Sequence, residues 1–440
     1  MSLDATETAP ADPALAARTM RKVWRRLIPF MFLLYIVNYL DRINVGFAAL
    51  QMNQTIGLGA SAYGLGAGVF FLSYVAFEIP SNLILARVGA RLWIARIMIT
   101  WGLVSAATMF VRDAHEFYAL RFLLGAAEAG FFPGLIYHLT RWFPEDARAR
   151  AVSGFMVATV TAGIIGGPIS GALLSMHGLG GLAGWQWLFL LEGLPAVVLG
   201  VVTLRLLTDR PEQAGWLATD ERAWLVARLH AESAAMTAAH DTLRDTFASG
   251  RVWLMTAIYF TLPLGLYGVG FWLPQIIQGF SHGSDFVVGV LSAIPYLAGA
   301  IGMVLVGRHS DRTGERRWHI AAPAFAGAAG FVLVGLVASP GLSLFALSLA
   351  TAGLVSVVGP FWTLSTSFLR GRGAAGGIAL INSVGNISGF IGPALLGVVK
   401  DTTHSFAAGM WMLGAALALG GLLALAVRPA RRGTRLRLLS

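Results

Sequence analysis

The chain has 440 residues, of which 56% are hydrophobic and only 12% charged. Soluble domains carry about 25% charged residues, so this composition excludes a chain whose whole surface faces water. The absence of cysteine excludes disulfides, thiolate metal sites and cysteine nucleophiles. Neither of the two lysines, Lys22 and Lys400, follows a glycine-rich loop, which excludes a Walker A phosphate site.

Residues 1–20 are small and polar and read as a flexible cytoplasmic tail, without the short apolar core and cleavage site of a signal peptide. Apolar stretches then recur at about the 20-residue length that crosses a bilayer core as a helix. Twelve helices are expected, near residues 26–50, 61–86, 91–111, 115–141, 147–176, 185–207, 250–279, 283–308, 318–338, 342–370, 374–400 and 404–428. The long polar segment 208–249 divides them six and six, with a short amphipathic surface helix expected around Ala218–Ala234. The expected organisation is a tail (1–20), a six-helix half (21–207), a cytoplasmic linker (208–249), a second six-helix half (250–428) and a cytoplasmic tail (429–440). The fold class is all-α integral membrane.

Of the 32 Lys and Arg, 28 fall on one side of such a bundle. Arg112 and Lys400 fall on the other, and Arg42 and Arg121 lie inside spans. The excess of positive charge on one side places both termini in the cytoplasm, as expected of a multi-pass protein of the bacterial inner membrane. The net charge of +10 is thus a topology device, with no folded basic face left for nucleic acid.

The two halves carry matching marks. Arg87-Val-Gly89-Ala-Arg91 follows span two, and Arg312-Thr-Gly314-Glu-Arg316 follows span eight, 225 residues later. Gly167-Pro168 in span five and Gly392-Pro393 in span eleven repeat that offset. Arg148-x-Arg150 and Arg370-x-Arg372 lie 222 apart. The halves therefore read as pseudo-symmetric repeats, which in transporters face each other across a central site.

These residues resemble a known family. Gly307-Arg-His-Ser-Asp311-Arg312-Thr-Gly314-Glu-Arg316-Arg317 looks like the signature loop of the major facilitator superfamily. The first-half copy is degenerate, with Asn82 and Ala86 at the leading glycine and aspartate positions. Within the superfamily the chain is similar to the anion:cation symporter family. That likeness rests on Asn38-Tyr39-Leu40-Asp41-Arg42-Ile43-Asn44-Val45-Gly46, on Glu78-Ile-Pro80-Ser81-Asn82 and on Arg121-Phe-Leu-Leu-Gly125-Ala-Ala-Glu128. Gly184-Trp185-Gln-Trp187-Leu-Phe-Leu-Leu-Glu192-Gly193-Leu-Pro195 and Asp209-Arg-Pro211 extend it. The resemblance implies import of a small organic anion together with protons, by alternating access. It implies no enzyme activity and no cofactor.

Charges in the middle of a span cost about 3 kcal/mol or more each, so they mark function. The set is Asp41, Arg42, Arg121 and Glu128. It sums to zero, which fits mutual pairing. Arg121 and Glu128 are seven residues apart and share a helix face. Asp41 and Arg42 are adjacent and point about 100° apart. A carboxylate in a low-dielectric cavity can take and release a proton as its partners move, and an arginine fork fits a carboxylate. Asp41 and Glu128 are therefore the expected proton-coupling acids. Arg42 is the expected carboxylate anchor, and Arg121 a pairing partner or second anchor. Matching positions carry the same roles in the family.

Tyr39, Tyr74, Trp362, Asn382 and Asn386 are the expected further substrate contacts. Glu78 and Glu192 read as structural, and His138 as an interhelical histidine with satisfied hydrogen bonds. Arg87, Gly307, Asp311, Arg312, Gly314 and Arg316 are expected to gate by latching helix ends. Trp93, Trp142, Trp253 and Trp318, near span ends, read as interfacial anchors. Gly64-Leu-Gly66-Ala-Gly68 reads as a close-packing stripe rather than a dinucleotide loop. The span-five glycines resemble an antiporter motif, so efflux of drugs or metabolites is the alternative. The expected partners are a small organic anion, protons and the lipid bilayer, with the chain acting as a monomer.

Overall fold

The computed structural model describes residues 12–236, 247–367 and 371–427. No strand occurs among them. Twelve helices are long and apolar enough to cross a membrane. The first six spans are Pro13–Thr55, Ala60–Val88, Ala90–Phe110, Ala114–Thr140, Glu145–Leu174 and Gly184–Leu206. The last six are Gly250–Ser281, Asp285–Thr313, Arg317–Val334, Pro340–Thr366, Gly376–Thr403 and Ala407–Ala426. Large apolar side chains such as Ile79, Leu83, Leu305 and Leu422 stand exposed on the outside of the bundle. An outward-facing apolar surface of this kind is stable only in lipid.

Two spans depart from the sequence expectation of continuous helices. Span four breaks after Glu128 and restarts at Phe131. Gly130 takes φ +86° there, open to glycine and strained for other residues. Pro133 opens the next helix, where its missing N–H costs nothing. The freed Ala129 carbonyl accepts the Ser81 hydroxyl at 2.6 Å. Span ten breaks at Val357, just before Pro360. Each break lies deep in the bundle, and the first immediately follows a buried acid.

The contact between the two sets of six spans is the same contact made twice. Gly64 of span two packs on the backbone of Pro393 in span eleven, and Gly289 of span eight packs on Gly167 of span five. Adding 225 to 64 gives 289, and adding 226 to 167 gives 393, so the two contacts correspond to within one residue. Phe71 lies against Gly389, and its counterpart Tyr296 lies against Gly163. The Gly64-x-Gly66-x-Gly68 stripe is thus a close-packing surface, as expected.

These crossings concentrate at the end of the bundle away from the described chain ends. Tyr63 donates to the Phe271 carbonyl at 2.8 Å, and Gln51 to Asp285 at 2.6 Å. Asp401 accepts from the Ser61 and Ala60 backbone amides at 2.7 and 3.1 Å. Toward the other end, the last side-chain hydrogen bonds joining the two sets, among the described residues, are from Asn382 and Ser383 to Glu78 at 3.3 and 3.5 Å.

The expected tail needs correction. Residues 1–11 lie outside the described residues, but helix begins at Pro13, with Asp12 accepting from the Ala14 amide at 2.9 Å. Ordering follows from charge. Arg18 reaches Asp220 at 2.7 Å and Glu221 at 2.9 Å, and Lys22 reaches Glu221 at 2.8 Å. Their partners sit on the linker helix Thr219–Met236, the amphipathic helix the sequence predicts. Trp142 also departs from its reading as an interfacial anchor. It is fully buried, stacks on Trp216 at 5.3 Å and donates to the Thr208 carbonyl at 3.0 Å, joining span four to the linker. Residues 429–440 and Arg370 lie outside the described residues.

The Lys22 hydrogen bond leads the interactions that hold the Glu221 carboxyl below the usual carboxylate range. A depressed folded value contributes stability above the unfolded value, and that stability is lost as pH falls through the folded one. Acidification toward pH 4 should therefore loosen the linker helix from span one. Glu221→Gln should loosen it at neutral pH. Hydrogen exchange of residues 219–232 at pH 7 and pH 4 checks both; equal protection in wild type at the two values would contradict the docking.

Candidate functional site

Span one places Asp41 and Arg42 on adjacent positions, so they leave the helix in different directions. Asp41 turns into the first six spans, toward span three. Its carboxylate accepts from Trp101 Nε1 at 2.6 Å, from the Ser105 hydroxyl at 2.6 Å and from Asn44 Nδ2 at 3.1 Å. No cation lies within ion-pair distance of it among the described residues. Three neutral donors therefore hold a side chain that is 1% exposed.

Arg42 turns toward the second set of spans. It forms an ion pair with Glu128 of span four, and its Nη1 donates to the Tyr267 hydroxyl of span seven at 3.1 Å. The guanidinium also lies over the rings of Phe70 and Tyr74, 5.4 Å from each centroid. Carboxylate, phenol and two aromatic faces together stabilise a cation that water barely reaches.

The expected mutual pairing of four charges is thus corrected to one pair. Arg121 has no carboxylate within reach among the described residues. Its Nη2 donates to the Ala67 carbonyl at 3.2 Å, and the guanidinium lies 5.0 and 5.9 Å from the ring centroids of Phe70 and Phe271. Its Nε and Nη1 are buried with no hydrogen-bond partner among the described residues. A buried donor left unmade costs about 1–3 kcal/mol, more for a charged group. Helix spacing explains the geometry. Arg121 and Glu128 are two turns apart on one face, so Glu128 can reach Arg42 while Arg121 stays about 10 Å away along the axis.

The other expected contacts divide. Tyr74 belongs to the cluster, stacked on Phe70 at 5.8 Å beneath the Arg42 guanidinium. Asn382 meets Glu78, and Asn386 lies one turn further along span eleven, half-buried. Trp362 is half-buried against Tyr259, with centroids 5.0 Å apart. Tyr39 does not join the cluster. It packs with Ile43 and Ala162, facing span five. Two residues before Asp41, it points about 200° away from that side chain and shares its helix face with Ile43, four residues on.

Glu78 fits its structural reading only partly, because its partners lie on the other six spans. Glu192 accepts from Ser170 at 2.8 Å through one oxygen, and its other oxygen is buried with no hydrogen-bond partner among the described residues. The histidine expectation fails: His138 is fully buried, and neither ring nitrogen has a partner among the described residues.

The signature loop is held together by hydrogen bonds within the second six spans. Arg316 donates to Asp311 at 2.8 Å and to the Ser310 hydroxyl at 2.7 Å, and Gly314 ends span eight at φ +67°. Glu315 accepts from the Trp318 amide at 3.0 Å, opening span nine. Burial pushes the Glu315 carboxyl up, but its hydrogen bonds outweigh that and hold it below the usual range. Arg87, Asp311 and Arg312 are exposed, and Gly307 is half-buried. In the degenerate first-half loop, Asp209 from the end of span six supplies a carboxylate, accepting the Arg91 amide at 2.8 Å.

The pairing of Arg42 with Tyr267, a residue the sequence offers only as one of several second-half aromatics, and the contacts of Trp101 and Ser105 with Asp41 are what sequence reasoning left out. A signal for the first was present: Tyr267 stands 225 residues after Arg42, so it is the repeat counterpart of the anchor it touches. Trp101 and Ser105 are four apart on one face of span three, an ordinary helix pattern that names no partner.

Ser105→Ala removes one donor from a buried carboxylate. It should cost about 1–3 kcal/mol, read as a lowered thermal unfolding midpoint of purified protein. Ser105→Thr should keep most of the stability.

The Major Facilitator Superfamily model matches residues 31–393. An Agrobacterium vitis protein named as a candidate tartrate transporter is 49% identical over 411 residues, covering 93% of this chain and 91% of that protein. The Escherichia coli inner membrane transport protein RhmT is 40% identical, covering 94% and 96%. A quinolone resistance transporter of Acinetobacter baumannii is 42% identical, covering 91% and 93%. Among solved structures, an inward-facing, occupied bacterial homologue of the human lysosomal transporter Spinster superposes with TM-score 0.74 at 15% identity, covering 95% of this chain and 97% of that one. The xylose transporter XylE of E. coli, partially occluded and inward open, gives 0.73 at 14% identity, covering 94% and 100%.

Proposed function

The chain belongs to the major facilitator superfamily, and on that premise we propose that it is a proton-coupled symporter that imports a small organic anion. The observation that carries the reading is the Arg42–Glu128 pair beside Tyr267, at the meeting of the two sets of spans. Removing one partner of a buried pair costs about 3–5 kcal/mol, because the other charge stays behind uncompensated. An anion can take the Arg42 fork only if Glu128 gives it up without remaining charged. Protonation of Glu128 does this. The resting site holds Arg42⁺ and Glu128⁻; the loaded site holds Arg42⁺, the substrate carboxylate and neutral Glu128. The site charge is the same in both, so anion and proton enter together.

Arg121 supports an anion as substrate. Its two unpartnered nitrogens leave a buried cation in need of an acceptor, which a second carboxylate or a hydroxyl supplies. Tyr74, Trp362, Asn382 and Asn386 would contact the remainder of the molecule. Hydroxy acids and sugar acids fit such a set, and a relative named for tartrate agrees. Asp41 would act as the second proton site. It is buried next to the anchor, and no cation lies within ion-pair distance of it among the described residues. Movement of span three away from span one would remove two of its donors at once.

Alternating access would proceed by rocking the two six-span halves about Arg42 and Tyr267. With the termini taken as cytoplasmic and the chain as a monomer of the inner membrane, the contacts concentrated away from the described chain ends support an inward-open state in this reading. The second reading, an efflux antiporter, is favoured by the relative named for quinolone resistance and by the span-five glycines.

Proteoliposomes separate the readings. An inward-directed proton gradient should drive tartrate or a sugar acid in; export under that gradient would contradict import. Glu128→Gln and Asp41→Asn should abolish gradient-driven accumulation and leave substrate exchange intact. Normal accumulation by both variants would overturn the coupling assignment. In thermal-shift titrations Arg42→Ala should lose the stabilisation by substrate. Arg42→Lys, which keeps charge but loses the fork, should weaken it at least about tenfold, or about 1.4 kcal/mol.

A further inference from the structure

A second polar cavity, of about 280 Å³, opens beyond the closed end of the bundle. It is lined by Ala49, Asn53 and Gln54 of span one, by Gln275 and Gln278 of span seven, and by Lys400 of span eleven. It draws on both sets of spans, as the central site does, but shares no residue with it. Beneath it lies the seal in which Gly46 packs on the Phe271 backbone and Tyr63 donates to the Phe271 carbonyl.

Its chemistry is one-sided. Lys400 is one of two basic residues outside the spans' interior that the charge count assigns to this face, and no carboxylate pairs with it within ion-pair distance among the described residues. Neighbouring Asp401 is occupied by the Ala60 and Ser61 amides. The Lys400 ammonium lies 3.7 Å from the Phe406 ring centroid, which fixes one side of the cation and leaves the other for an anion. Around it stand four side-chain amides. Gln275 Nε2 and Asn53 Oδ1 are buried with no hydrogen-bond partner among the described residues. A donor and an acceptor left unmade beside a cation suit a ligand that carries both carboxylate and hydroxyl groups. The cavity is at the small end for ligand sites, about 300–1,000 Å³.

Position links it to transport. Ala49 is seven residues beyond Arg42, hence two turns along the same face of span one, about 10 Å further out. Gly46, which packs on the Phe271 backbone, lies between Arg42 and Ala49 along span one.

We infer that this cavity is an outer capture site for a small hydroxycarboxylate, with Lys400 as its cation and Gln275 and Asn53 completing its hydrogen bonds. The proposal rests on the import reading for its purpose but not for its binding. It raises the local concentration of anion at the mouth before the halves rock, as a positive patch does for a charged ligand.

The absence of cysteine permits a direct test. Gly279 lines the cavity and has open space where a side chain would begin, so Gly279→Cys introduces one thiol at the rim. The protein is placed in phosphatidylcholine nanodiscs, which exclude anionic headgroups as the ligand, and N-ethylmaleimide alkylation is timed with tartrate or with chloride at equal ionic strength. Tartrate at about four times its dissociation constant should slow alkylation about fivefold, because about one site in five is then empty. Protection should persist in Gly279→Cys/Arg42→Ala, vanish in Gly279→Cys/Lys400→Gln and return in Gly279→Cys/Lys400→Arg. No protection in Gly279→Cys, protection that survives Lys400→Gln, or protection lost with Arg42→Ala would each overturn the site. Failure of the central anchor would appear separately, as undiminished tartrate uptake by Arg42→Ala.

Discussion

A charge deep in an apolar bundle must be compensated, and the Arg42–Glu128 pair is where this chain meets that constraint. Span one has to bring its arginine to the junction of the two sets of spans. Span four has to bring its glutamate there, and breaks one residue later. Span seven supplies the phenol. The aromatic rings of Phe70 and Tyr74 close the remaining sides. Each neighbour is of a type that tolerates a cation, and none can be exchanged for a plain hydrocarbon without leaving a polar group unmatched.

The two buried acids near the anchor are held in opposite ways. Glu128 is balanced by a full positive charge. Asp41 is balanced by an indole N–H, a hydroxyl and an amide, all neutral. A neutral cage that belongs to a separate helix can be dismantled by a small relative movement of that helix. An ion pair to a central arginine yields instead to a competing anion. Under the proposed mechanism one acid would answer to conformation and the other to occupancy, a division that would tie one solute to a change of shape.

Much of this was legible in the sequence because hydrophobic length and charge placement are global quantities. The twelve spans, the polar linker with its short helix and the 225-residue offset come from patterns spread over many residues. The four central charges were legible for a related reason: their burial is costly enough to require an explanation. What the residues did not state was which neighbour supplies the compensation. Asp41 finds Trp101 and Ser105 about 60 positions away, and only the rotation of span three decides that. Tyr39 shares a motif with Asp41 yet faces span five, because residues two apart on a helix diverge by about 200°. Trp142 sits near a span end but is buried by Trp216 of the linker. A flexible tail was expected before span one because small polar residues have no visible partner in sequence, whereas Arg18 and Lys22 find theirs some 200 residues later.

Arg42 and Tyr267 occupy the same position in the two repeats and touch each other. A gene duplication begins with identical copies, so the ancestral pair would have set one residue against itself across the pseudo-twofold axis. Two guanidiniums at that separation repel, and two phenols offer no cation to an anion. The mismatch between the copies is therefore what lets a cation and a phenol meet on the axis. Divergence at this one position makes the molecule asymmetric at the proposed anchor, while the glycine contacts around it remain alike.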